Sequence, residues 1–213
     1  MLDLLLPPTC VACSYLLRDP APLALPLCSN CALSAVPLPR AERRIDGIDA
    51  LYAYEGALAQ ALTRLKFGGH RALAGPLGRL LAAGIGPTPW DLVTTAPLHP
   101  WRAFCRGYDQ AALLAHYLVQ AWPRAPRPRL HLRLLRRDRR TLPQTELDRR
   151  ARLRNVEGAF SPLAAALKMI QGRRILLIDD VTTTGATISA ARDALLGAGA
   201  AEVGGLALLR ALP

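Results

Sequence analysis

Two adjacent carboxylates, Asp179 and Asp180, follow a short apolar run at residues 175–178 and precede Val181 and the hydroxyl-rich stretch Thr182-Thr183-Thr184-Gly185-Ala186-Thr187. Paired carboxylates accept hydrogen bonds from neighbouring hydroxyls. A stretch of threonines and small residues opening a helix offers unpaired backbone N–H groups, hydroxyl donors and the positive end of the helix dipole to an anion. Gly185 lets the backbone come close to that anion. Together these groups suit a phosphosugar, with sugar hydroxyls on the acids and phosphate in the loop.

Such a site needs particular elements to hold it. The run at 175–178 is apolar at every position, as in a strand buried on both faces of a parallel sheet. The acids then emerge at its carboxyl end, where parallel sheets bind their ligands. An alanine-rich helix follows from residue 189 to 196, stopped by Gly197-Ala198-Gly199, and residues 202–209 read as a final strand. Strand, acidic pair and threonine loop resemble the phosphoribosyl diphosphate (PRPP) motif of type I phosphoribosyltransferases.

A chain of 213 residues, 51% hydrophobic, can bury a substantial core and fits one α/β domain with a small appendage. Its apolar runs are too short to cross a bilayer, and the acid at Asp3 and the break at Pro7 do not suit a signal peptide, so a cytoplasmic protein is expected. The appendage is marked by Cys10-Val-Ala-Cys13 and Cys28-Ser-Asn-Cys31, two C-x-x-C turns fourteen residues apart. Four thiolates so spaced close a tetrahedral zinc site, which substitutes for a core too small to fold alone. The alternative, a pair of disulfides, is disfavoured in a cytoplasmic chain. Residues 37–44 read as a linker, dividing the chain into a zinc-ribbon domain, 1–42, and a main domain, 43–213.

In the main domain, residues 48–54 alternate like a strand and residues 57–67 follow as a helix stopped at Gly68-Gly69. Lys66 in its last turn reads first as a solvated cation complementing the helix dipole, and second as a phosphate ligand. A further helix spans 71–83 and a short buried strand 91–95. The Pro-bounded loop Ala96-Pro97-Leu98-His99-Pro100-Trp101-Arg102 then lies beside the Asp179 strand end if the sheet is parallel. Asp109 is the expected N-cap of the next helix, whose apolar face is read as Ala112, Leu113, His116 and Tyr117. Residues 130–135 read as a strand. The net charge of +11 is carried almost wholly by arginine, and residues 124–154 hold twelve Arg against Asp138, Glu146 and Asp148. That density points to an anionic partner or to a solvated basic loop that orders over a bound anion. Cys105 reads as a small buried residue.

Taken in order, the cysteine pairs, Tyr54-Glu55-Gly56, Lys66-Phe67-Gly68-Gly69, Ala96-Pro97-Leu98-His99, Arg106-Gly107-Tyr108-Asp109-Gln110, Thr141-Leu142-Pro143-Gln144, Arg150, Asn155, Phe160 and the terminal motif are similar to the ComF family across essentially the whole chain. That family comprises phosphoribosyltransferase-like proteins of DNA uptake and natural competence with an N-terminal zinc ribbon. The resemblance implies a type I phosphoribosyltransferase-like parallel sheet flanked by helices. It implies PRPP on Asp179, Asp180 and residues 181–187, with its diphosphate on Pro97, Leu98 and His99 aided by Arg102 or Arg106, and Mg2+ accompanying the diphosphate. Structural Zn2+ would sit on Cys10, Cys13, Cys28 and Cys31. Two activities stay open: transfer of phosphoribose to a nitrogenous base, or a non-catalytic PRPP sensor that binds single-stranded DNA and works with a competence helicase. Where relatives carry Arg-Gly-Phe-Asn-Gln, this chain has Asp109, a negative charge beside the expected anion site.

Overall fold

Apolar residues on both faces of a strand force it into the middle of a sheet, and the computed structural model places the 175–178 run there. The structure describes residues 9–17, 25–98, 107–138 and 158–211. Its strands are β1 (Arg44–Ile45), β2 (Ile48–Ala53), β3 (Leu92–Thr95), β4 (Arg129–Leu130), β5 (Leu135–Arg137), β6 (Phe160–Pro162), β7 (Arg174–Thr182) and β8 (Glu202–Arg210). Six of them form one sheet in the order β1-β2-β8-β7-β3-β4, parallel throughout except for β1, and β5 pairs antiparallel with β6.

Helices cover both faces. Helices α3 (Gly56–Phe67), α4 (Ala74–Ala83) and α5 (Gln110–Gln120) bury Leu58, Leu62, Leu65, Leu77, Leu81, Leu114 and Leu118 against Val93, Leu176, Ile178 and Leu206. On the other face, α6 (Leu167–Ile170) and α7 (Ala186–Gly197) bury Ile170, Ile188, Ala191 and Leu195 against Ile175, Leu177, Val203 and Ala207. The alternation of β7 between the two cores, Ile175 and Leu177 one way and Leu176 and Ile178 the other, is the period of two expected of a strand. Each fully buried Leu or Ile contributes about 1.5–3 kcal/mol.

The chain runs outward from β3 to β4 and back inward from β7 through β8 toward β2, so the winding reverses between β3 and β7. In open parallel sheets the ligand crevice lies at that switch point, beyond the carboxyl ends of the strands.

The N-terminal segment is not set apart from this architecture. Cys10, Ala12, Leu25, Leu27 and Ala35 share a core with Leu51, Leu58 and Leu62. Short helices α1 (Ser29–Leu33) and α2 (Arg40–Arg43) follow the second cysteine pair. Where the linker is expected, the chain runs beside β2: Ala53 donates to the Val36 carbonyl and Leu38 to the Leu51 carbonyl. Two further readings are corrected. Residues 130–135 divide between β4 and β5, because the chain turns after Leu130. The buried face of α5 is Ala111, Leu114, Ala115 and Leu118 rather than Ala112, Leu113, His116 and Tyr117, the i, i+3, i+4, i+7 stripe that meets the sheet.

Candidate functional site

Strand β7 does not stop at Ile178. Its ladder to β8 continues through Asp179↔Ala207, Val181↔Leu209 and Thr182↔Arg210, so the two acids lie within the strand rather than after it. The pleat therefore turns them to opposite faces. Asp179 faces the α7 side and lines a small cavity with Val181, Thr182, Thr183, Gly185, Ala186 and Thr187. Asp180 faces α3 and is 5% exposed.

The loop has the form that an anion site requires. Gly185 is the N-cap of α7 at φ +76°, a left-handed backbone that side chains disfavour, and a Cβ there would come within 2.7 Å of Ile48 Cδ1. No side chain caps α7; the Ala186 N–H reaches Thr184 Oγ1 at 3.4 Å, and the first turn otherwise points its N–H groups at the cavity end.

Asp179 and Asp180 are locked together and to a remote helix. The Asp180 N–H donates to Asp179 Oδ1 at 2.8 Å, and Lys66 Nζ stands 2.9 Å from Asp180 Oδ1. Burial pushes the Asp179 carboxyl up to about 7, and the Asp180 charge pushes the same way; the Asp180 N–H and Lys66 oppose them, and Asp109 adds a further upward push. Asp180 Oδ2 is buried with no hydrogen-bond partner among the described residues. Lys66 is thus not the solvated last-turn cation that helix position alone suggests: its side chain is 16% exposed and reaches across to β7.

The β3 loop falls where a parallel sheet requires. Thr95 is in register with Ile178, which brings Ala96, Pro97 and Leu98 alongside Asp179. Of the expected diphosphate residues, Pro97 and Leu98 lie in this loop, whereas His99, Arg102 and Arg106 lie outside the described residues. So do Cys105 and residues 139–157 with Thr141, Pro143, Arg150 and Asn155. Asp109 is the N-cap of α5, accepting from the Ala112 N–H at 3.0 Å.

Three sets of contacts carry no sequence signal of their own. Arg137 of β5 donates to the Pro97 carbonyl at 3.5 Å and lies over the Phe160 ring at 5.3 Å, tying the arginine-rich segment to the β3 loop. The Tyr108 hydroxyl bonds the Leu65 carbonyl, and Arg71 stacks on the Tyr108 ring at 4.5 Å while donating to the Gly107 carbonyl. These contacts join the end of α3 to the start of α5. Ser34 Oγ accepts from the Ala57 N–H at 2.9 Å, capping α3 from a distant segment. Such pairings are set by tertiary proximity, and residue spacing does not encode them.

The four cysteines converge. Their sulfurs lie within 4.8 Å of one another, and Cys13 Sγ is 3.8 Å from Cys28 Sγ. Tetrahedral zinc with Zn–S near 2.3 Å requires sulfurs about 3.8 Å apart. No disulfide joins the four among the described residues, and Val11 donates to the Pro26 carbonyl, binding one turn to the other. Burial pushes the Cys10 thiol up, but backbone N–H groups of Cys13, Cys28 and Ala12 outweigh it and bring it down to about 6, while burial and the neighbouring thiols push Cys31 up. One ready thiolate among four close sulfurs suits a metal, whose charge would ionise the rest.

Residues 128–211 match the phosphoribosyl transferase domain family. The chain is 30% identical to the DNA utilization protein YhgH of Salmonella typhi over 95% of this chain and 90% of that one. It is 32% identical to the protein of the same name from Escherichia coli K12 over 75% and 70%. Competence protein F of Haemophilus influenzae is 33% identical over 57% of this chain and 51% of that one. Among solved structures, a phosphoribosyltransferase from Corynebacterium diphtheriae is similar at 19% identity and a TM-score of 0.39, covering 70% of this chain and 71% of that one. Among the described residues no helix is long and apolar enough to cross a membrane.

Proposed function

The chain belongs to the ComF family of DNA utilization and competence proteins with a phosphoribosyltransferase-type fold, and from that premise we propose that it binds PRPP at the carboxyl end of β7 and transfers its phosphoribose to a nitrogenous base during the handling of incoming DNA. The observation that carries this reading is the cavity in which Asp179 meets the Thr182–Thr187 loop at the N-terminus of α7. Ribose hydroxyls donate to Asp179 and Asp180, and the 5′-phosphate accepts from the loop N–H groups and threonine hydroxyls. The diphosphate lies against Pro97 and Leu98, with His99, Arg102 and Arg106 as the further residues proposed to grip it. Among the described residues, Asp180 and Asp109 both push the Asp179 carboxyl up while Lys66 opposes them, which suits a polyanion that arrives with a cation rather than alone. Mg2+ accompanying PRPP would supply charge compensation for the diphosphate as it leaves. The C1–O bond to diphosphate breaks, leaving an oxocarbenium-like C1. A ring nitrogen of the acceptor forms the new C1–N bond and loses its proton to solvent. Hydrolysis by water is the competing reaction.

Calorimetry with PRPP and Mg2+ on the Asp179→Asn/Asp180→Asn double variant tests the site. Lost affinity supports it, and affinity equal to the parent protein sinks it. Diphosphate release screened over purine, pyrimidine and pyridine bases tests transfer. The names of the relatives and the arginine-borne charge of +11 favour a second reading, a PRPP-sensing module for single-stranded DNA acting beside a helicase in the cytoplasm. Silence across the base panel, with single-strand affinity that falls steeply with salt, would select it. The four cysteines are proposed to hold Zn2+, with residues 1–42 as the ribbon and 43–213 as the transferase-like domain.

A further inference from the structure

Lys66 and Asp180 are both largely buried, at 16% and 7% side-chain exposure, with Nζ and Oδ1 2.9 Å apart. An exposed pair of this kind is worth little, but a buried one cannot lose a partner without leaving an uncompensated charge. The charges on the neighbouring Asp179 make the consequence sharper: Asp180 and Asp109 at the start of α5 both push the Asp179 carboxyl up, and Lys66 of α3 opposes them. Without Lys66 the carboxylates repel one another with no ammonium from α3 to offset them. Asp180 Oδ2, the remaining acceptor, is buried and has no partner among the described residues, an arrangement that a sugar hydroxyl would satisfy.

Lys66 is also held. The last turn of α3 is fastened to α5 by the Tyr108 hydroxyl on the Leu65 carbonyl, and α5 is fastened in turn by the Asp109 cap. The ammonium is therefore delivered to β7 by a braced helix end rather than by a free side chain.

Resting on the PRPP reading above, we propose that Lys66 is a positioning residue for the donor sugar: it pairs with Asp180, fixes Oδ1, and leaves Oδ2 to accept a ribose hydroxyl. Lys66 touches the substrate only through Asp180.

The test is PRPP–Mg2+ calorimetry from pH 6 to pH 9 on the full-length parent, Lys66→Met, Lys66→Gln and Lys66→Arg, with thermal melts as a folding control. The two neutral variants should bind about tenfold or more weakly near neutral pH, with the deficit shrinking as pH rises, since Lys66 is the cation that opposes the upward push on the Asp179 carboxyl. Lys66→Arg should stay within a few fold of the parent. Parent-like affinity in folded Lys66→Met or Lys66→Gln overturns the inference and leaves the PRPP site standing. A deficit equal at every pH also overturns it, because lost packing has no pH dependence. A parent protein silent toward PRPP overturns the donor-site reading and the role of Lys66 together.

Discussion

The four-cysteine cluster and the acidic cleft both lean on α3, yet they are assembled in different ways. The cysteines come from two turns that each carry their own pair, and a few backbone bonds such as Val11 to Pro26 suffice to bring the sulfurs together. Arg64 of α3 adds a bond to Ser14 beside them. The cleft instead gathers residues from three separate elements: Asp179 and Asp180 from β7, Lys66 from α3 and Asp109 from α5. A local site can be emptied or filled as a unit. A composite site depends on every element that contributes to it.

Removing metal is the strongest way to break that contrast. Zinc sites in small ribbons supply about 10 kcal/mol or more of apparent folding energy, so chelation, or Cys28→Ser/Cys31→Ser, should lower the melting temperature by on the order of 10 °C or more. Calorimetric melts beside metal analysis check this. An unchanged melt in demonstrably metal-free protein would show that the shared core with Leu51 and Leu58, not the metal, holds the N-terminal segment.

Acidity probes the cleft next. Asp179 is raised from an ordinary 3.8 to about 7. Its contribution to stability is therefore fully present below pH 3.8 and lost as pH rises through 7. PRPP affinity should run the opposite way, falling about tenfold per unit below pH 7 as the acceptor carboxylate gains a proton. Asp179→Asn should flatten the stability trend, and matched urea and binding titrations across pH 5–8 read both slopes. Parallel slopes would mean that Asp179 does not meet the sugar in its ionised form.

The backbone of the loop comes third. Gly185→Ala places a side chain at φ +76° and 2.7 Å from Ile48 Cδ1, at a cost of about 1–2 kcal/mol for the left-handed backbone alone. The urea midpoint should fall and PRPP affinity should weaken with it, while metal content stays unchanged. The smallest effect is expected at Ser34, whose hydroxyl caps α3. Ser34→Ala should cost about 1 kcal/mol, read as a denaturation midpoint, without moving the pH at which PRPP affinity changes. A moved pH midpoint would show that the ribbon side of α3 communicates with Lys66 at its other end.

Much of the cleft was legible because each part is local. An apolar run on both faces gives a central strand, the threonine loop opens a helix, and parallel pairing puts the Pro97 loop beside Asp179. Position in the helix, by contrast, argued that Lys66 belongs in solvent, since a last-turn lysine complements the dipole wherever it points. Only the packing of α3 over β7 shows what it faces. The same holds for Arg137, which reads as one arginine among many until β5 lays it on Phe160 and the Pro97 carbonyl.

The amino-acid sequence by itself determined the elements and the chemistry of their ends: a phosphate-suited loop after two acids, and four thiols at metal-ligand spacing, because short-range spacing fixes what a turn or strand end can present. Tertiary structure alone decided how those groups are balanced. The ladder to β8 carried the strand past the acids and turned them to opposite faces, and the docking of α3 gave one of them a buried ammonium, because charge compensation is settled by proximity in space and not by order along the chain.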